Sequence, residues 1–316
     1  MLSDLASLFL TVFAPIVVVI LIGVGIDRKF TLDLSTLVKI NLYIFVPSFL
    51  FHRLLLADIP GGQQLLVVAF TLCSIAAMAV LSLTAAAVFR LKGQSSKALQ
   101  LSTMFYNCGN WGIPMTALAF PDTGPAIQAF VLMTMNICVF TFGLLLASSH
   151  TDTPRKPGWW RPLLPMLRQP SLWAIAAALT IKGFEFETQI KSFVAIWKPL
   201  EFLAGGLVAM ALLTLGVQLS QTKPPPVRGH MSLALVIRLI CGPLVAALLA
   251  WAFGFEGTIA GVLILGAAAP TAVNTALLAH EFKADGKFAA AAVFYTTIFS
   301  AATATILLFI LKRFYA

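Results

Sequence analysis

Charge is what this sequence has least of: Asp, Glu, Lys and Arg together make up 10% of it, against roughly 25% in an ordinary soluble domain. So little charge cannot clothe the surface of a soluble protein of 316 residues. Enzyme signatures are missing as well. There is no GxSxG and no P-loop, and His280-Glu281 is followed by Ala284 where a zinc-binding HExxH needs its second histidine. No pair of deeply placed aspartates suggests an intramembrane protease. The four cysteines, Cys73, Cys108, Cys138 and Cys241, lie far apart inside apolar blocks, which argues against a disulfide framework or a metal site. The sequence therefore calls for no cofactor and reads as a non-enzyme. The first apolar block follows Asp4 with no preceding Lys or Arg and no small-residue cleavage site, so it reads as a retained span rather than a signal peptide.

What fills the chain instead is hydrophobic sequence, 59% of all residues, in blocks long enough to cross a bilayer. Spans are expected near 5–26, 36–56, 63–89, 98–120, 125–148, 171–184, 198–220, 231–253, 257–281 and 288–311. The net charge of +9 reflects basic residues concentrated in cytoplasmic loops and not nucleic-acid binding. Fourteen of the 21 Lys and Arg, among them Arg28, Lys29, Lys39, Arg90 and Lys156, fall in odd-numbered loops. This places the odd loops in the cytoplasm and both termini outside. Trp159, Trp160 and Arg161 suit an interfacial anchor before the short sixth span, which Pro170 opens.

The basic, Pro-rich stretch 150–170 is a cytoplasmic linker between halves of five spans each, 1–149 and 171–316. Five is odd, so two related halves must run inverted through the membrane, as in many secondary transporters. The same span of each half is interrupted. Span four reads Asn107-Cys-Gly109-Asn110-Trp-Gly112-Ile-Pro114, and span nine reads Gly266-Ala-Ala-Ala-Pro270-Thr271-Ala-Val-Asn274. The expectation is a discontinuity at 109–114 and another at 268–271, meeting near the bilayer centre. Pro114 and Pro270 suit the first turn of the half-helix that follows. Two exposed half-helix N-termini, each with about half a positive charge, would hold a carboxylate with no Lys or Arg beside either break. Asn107, Gly109, Asn110, Gly112, Pro114, Pro270, Thr271 and Asn274 are thus the candidate substrate-binding residues. The three asparagines could instead be interhelical hydrogen-bonding glue.

Other polar residues carry less. Arg238, inside span eight, is expected to snorkel toward the cytoplasmic face. Glu201 and Glu281 sit near span ends where water reaches them, with proton coupling the lesser alternative. His52 and Arg53 read as interfacial, Gly257-xxx-Gly261 as a packing motif, and Pro15, Pro47 and Pro243 as simple kinks.

Asn107-x-Gly109-Asn110-x-Gly112-x-Pro114 resembles the auxin efflux carrier family, whose members include bacterial malonate or malate carriers and the plant PIN carriers. Ala269-Pro270-Thr271-Ala-Val-Asn274, Val46-Pro47-Ser-Phe-Leu-Phe and Gln169-Pro170 are similar to it too. The resemblance implies ten helices in two inverted five-helix repeats, with helices four and nine crossing at Pro-centred breaks beside the substrate. It also implies a scaffold of spans 1, 2, 6 and 7, a mobile transport domain of spans 3–5 and 8–10, elevator-type alternating access and a homodimer. Two features depart from the pattern. The long loop of plant members is missing, which points to a bacterial-type carrier of the inner membrane, and Val208–Gly216 in span seven lacks the proline expected there. The function expected is secondary transport of a small organic anion across a lipid membrane. A membrane-embedded receptor or scaffold, or an anion channel, is the alternative.

Overall fold

The computed structural model describes residues 9–57, 60–148, 167, 169–222, 226–227, 230–281 and 284–314. The expected linker lies outside the described residues, apart from Leu167, Gln169 and Pro170. Helices α1 (Leu10–Phe30), α2 (Leu34–Leu56) and α3 (Gly61–Val88) follow one another. Next come α4 (Gly93–Met104) and α5 (Ile113–Ala119), then α6 (Gly124–Ala147). The second part holds α7 (Pro170–Gly183) and the short α8 (Glu187–Ser192), then α9 (Val194–Gln221) and α10 (Met231–Ala252). It ends with α11 (Gly257–Ala267), α12 (Val273–Glu281) and α13 (Gly286–Phe314). Seven of these are long and apolar enough to cross a membrane. Their outward faces are apolar: Leu65 is 72% exposed and Trp251 78%. In water such a surface would aggregate, and in lipid it is the favoured one. The protein is an all-helical, multi-pass membrane protein.

Proline shapes these helices in a recurrent way. Phe9–Phe13, Asn41–Phe45, Cys108–Gly112 and Ile237–Cys241 are π-helical, and each ends two residues before a proline: Pro15, Pro47, Pro114 and Pro243. A proline ring collides with the carbonyl four residues back and offers no N–H to it. Widening the turn removes the conflict, because the residue before the proline then donates five residues back. Val46 donates to the Asn41 carbonyl, Ile113 to that of Cys108 and Gly242 to that of Ile237. These prolines are more than simple kinks. The widened turns contain Asn41, Asn110 and Arg238, the polar side chains that matter below.

The helices pack in two sets. In one, α9 lies against α1 and α2, and α7 lies against α2. Here α1 and α9 touch backbone to backbone: a Cβ on Gly23 would stand 2.5 Å from the Leu213 carbonyl oxygen, and one on Gly216 would strike that of Ile20. In the other set, α3 packs on α4, α6 and α10, α11 packs on α10 and α6, and α13 packs on α4 and α12.

Candidate functional site

The two interruptions fall in the anticipated helices, but the first is misplaced. The chain leaves the helical conformation at Phe105–Asn107, before the Gly/Pro motif, and regains it at the π turn Cys108–Gly112 that runs into α5. Residues 109–114 are helical, and Pro114 stands inside the second half-helix behind that turn. The second interruption, between Ala267 and Val273, is where it was expected. Pro270 precedes α12 by three residues and is not in its first turn.

A broken helix at membrane depth must satisfy its freed backbone groups within the protein, and here each break satisfies the other. The Asn107 N–H donates to the Pro270 carbonyl at 2.8 Å and the Ala272 N–H to the Phe105 carbonyl at 3.1 Å. Tyr106 and Thr271 thereby form an isolated antiparallel bridge. Thr271 is fully buried; its N–H donates to Thr296 Oγ1 at 3.0 Å and its hydroxyl to the Ser102 carbonyl at 2.7 Å. Both first half-helices, α4 and α11, end at this junction, and both second half-helices start from it.

The start of the π turn is capped by Asn107, whose Oδ1 accepts from the Asn110 N–H at 3.1 Å. Its Nδ2 has no partner, although the residue is only 8% exposed. Asn110 Oδ1 in turn accepts from Asn41 Nδ2 at 2.9 Å, across from α2. The Asn41 Oδ1 is buried and unpaired. Unsatisfied buried carboxamide atoms cost free energy unless something occupies the space before them.

Beside these residues lies a cavity of about 480 Å³. Its wall combines Asn107, Gly109 and Asn110 at one half-helix start with Ala272, Val273 and Asn274 at the other. Asn136 from α6, Asn41, Lys39 and Ser35 from α2, Ser171 from α7, Gln218 from α9 and Tyr106 add to its polar lining, among apolar residues such as Leu132 and Val139. Of the eight candidates, Asn107, Gly109, Asn110 and Asn274 therefore line the cavity. Gly112, Pro114, Pro270 and Thr271 stand behind it. Gly112 makes room for Gln128, whose Nε2 would lie 2.5 Å from a Cβ there and donates to the Cys108 carbonyl at 3.0 Å. The same carboxamide abuts Gly266, so Gln128 packs between the two broken helices.

Sequence reading missed Asn41, Asn136, Gln218 and Lys39. The first two carry the signal that picked out Asn107, a lone carboxamide in an apolar block, and were passed over for want of a helix breaker in view. Lys39 was counted as a loop charge, and it stands on the cavity wall.

Arg238 does not snorkel. It is 1% exposed, its guanidinium lies 5.1 Å from the Tyr106 ring centroid, and it donates to the carbonyls of Thr103, at 2.7 Å, and Ala267. Glu201 pairs with Lys198 at 2.7 Å on the surface, while the Glu281 side chain lies outside the described residues. His52 is buried against Trp197, ring centroids 4.7 Å apart, and Arg53 lies over the Phe49 ring.

Residues 162–308 match the model of a family described as membrane transport protein. The chain is 28% identical over 273 residues to an uncharacterized transporter of Methanothermobacter thermautotrophicus, covering 85% of this chain and 86% of that one. It is 26% identical over 271 residues to an uncharacterized transporter of Methanocaldococcus jannaschii, covering 83% and 84%. A broken-helix cavity, a family match over residues 162–308 and transporter relatives matched over most of the length point the same way: the chain is similar to membrane transport proteins.

Proposed function

We propose that this protein is a secondary transporter that carries a small organic anion, a mono- or dicarboxylate, by elevator-type alternating access. The observation that carries the reading is the cavity wall, where two half-helix starts and five asparagines meet Lys39. Helix starts present free N–H groups and partial positive charge, and Asn110, Asn136 and Asn274 place carboxamides on the wall beside them. Lys39, an exposed residue, adds a full charge that draws anions in. The apolar remainder of the wall, including Leu132, Met135 and Val139, suits a hydrocarbon or aromatic body.

Several features support the finer reading of ten helices in two inverted repeats. Taking α4 with α5 and α11 with α12 as interrupted spans, the described helices fall into five spans in each half, with the breaks in matching places. The packing sets correspond to a scaffold of α1, α2, α7 and α9 and a transport domain of α3–α6 and α10–α13. Both sets line the cavity, which suits a substrate carried past a fixed wall. The distribution of Lys and Arg favours cytoplasmic odd loops and external termini.

Purified protein in proteoliposomes tests the proposal. Uptake of radiolabelled carboxylates from a panel should saturate with concentration for at least one compound, and that compound should raise the protein's Tm. Failure of every mono- and dicarboxylate to be taken up, with a cationic or neutral solute transported instead, would overturn it.

A further inference from the structure

Arg238 is the buried charge to which anion transport assigns no task. No residue of α10 lines the cavity, and no carboxylate pairs with the guanidinium among the described residues. The surroundings are nevertheless built around it. A Cβ on Gly242 would stand 2.5 Å from an Arg238 terminal nitrogen, so glycine there leaves the guanidinium its space. The π turn Ile237–Cys241 sets its direction. Its two acceptors are particular ones: Thr103 is in the last turn of α4 and Ala267 is the last residue of α11. One cation thus holds the C-terminal ends of both first half-helices, each of which carries roughly half a negative charge. Tyr106, whose ring receives the same guanidinium, also lines the cavity.

We infer that Arg238 is a positioning residue for charge selectivity: it offsets the negative poles of α4 and α11, so that the positive starts of the π turn and α12 set the potential of the cavity. The inference rests on reading the cavity as an anion site. It adds that selectivity is held by a residue the substrate never touches. With the charge removed, two carbonyl ends lie uncompensated behind Tyr106 and the cavity loses its preference for anions.

The test needs no transported substrate. In a variant with the four native cysteines replaced by alanine, Asn274→Cys places a thiol on the cavity wall. Its labelling rate is measured with three methanethiosulfonates: the anionic sulfonatoethyl, the cationic trimethylammonioethyl and the neutral methyl reagent. Arg238 is then changed to Met or Lys. A unit charge ~10 Å away, about twice the guanidinium–ring distance, changes the rate of a charged reagent by about tenfold at an effective dielectric of 20. Relative to the neutral reagent, whose rate reports the thiolate fraction, Arg238→Met should therefore slow the anionic reagent and speed the cationic one by about that factor. Arg238→Lys should keep most of the wild-type ratio. An unchanged anionic-to-cationic ratio overturns the inference, and so does a parallel change in all three rates, which marks a purely structural role. Should Arg238→Met fail to fold, Arg238→Gln retains one donor and is judged by the same ratio. The ratio is read whether or not any carboxylate is transported, so failure of the transport reading stays separate.

Discussion

Carboxamides dominate the polar lining of the cavity: Asn41, Asn107, Asn110, Asn136 and Asn274. Asn274 is the second residue of α12 and lines the cavity, where a carboxylate introduced by mutation sits at a helix start and stays ionised. Asn274→Asp should repel an anionic substrate. At about 4 Å and an effective dielectric of 20 the repulsion is on the order of 4 kcal/mol, close to a thousandfold in Kd. Titration of the purified variant with a transported carboxylate measures it, with Gln94→Asp on an exposed position as the control. Unchanged affinity in a folded variant removes Asn274 from the site. Asn107, Asn110 and Asn274 were readable in the sequence because each lies near Gly or Pro in an interrupted apolar span, a signal that Asn41 and Asn136 lacked. Arg238 was not readable either. Its depth along α10 suggested an escape to the membrane surface, whereas two helix C-termini and a tyrosine ring, brought together from sequence positions far apart, hold it inside.

Breaks and bulges follow from proline in some places and from tertiary pairing in others. Gly and Pro between 109 and 114 pointed to the right helix but the wrong residues. The chain opens at Phe105–Asn107, which contain neither Gly nor Pro, because there its backbone is paired by Pro270 and Ala272. Only a distant segment can supply that pairing, so no local signal marks it. The proline-linked π turns are local, and a substitution can close them. Pro47→Ala should let Asn41–Phe45 relax to an α-helix, rotating Asn41 away from Asn110 by about one residue's worth of turn. The lost hydrogen bond is worth about 1 kcal/mol, so affinity for a transported anion should fall about fivefold. The Tm should hold or rise as the helix becomes regular. Calorimetric titration alongside a melting curve checks both, and an unaltered affinity would show that the widened turn does not position Asn41.

At the scale of the whole molecule the question is whether the two helix sets move past one another. The long apolar helices were legible from hydropathy and the two interruptions from paired helix breakers, whereas the grouping of helices into a scaffold and a transport domain was implied only by the family likeness. By contact, α1, α2, α7 and α9 pack among themselves, as do the remaining long helices. Contact between the sets is thinner and includes a small cleft where Leu172 and Ile175 of α7 face Ile137 and Met133 of α6. An elevator requires this contact to slide. Cysteines at positions 137 and 172, both half-buried and outside the lining of the cavity, can be bridged by a short bifunctional methanethiosulfonate. Bridging should abolish uptake in proteoliposomes, and reduction should restore it. Each single cysteine, labelled by a monofunctional reagent of similar size, should keep most of its rate. If the bridged protein transports at the unbridged rate, the sets do not slide at this contact, and access must alternate by local movements around the breaks.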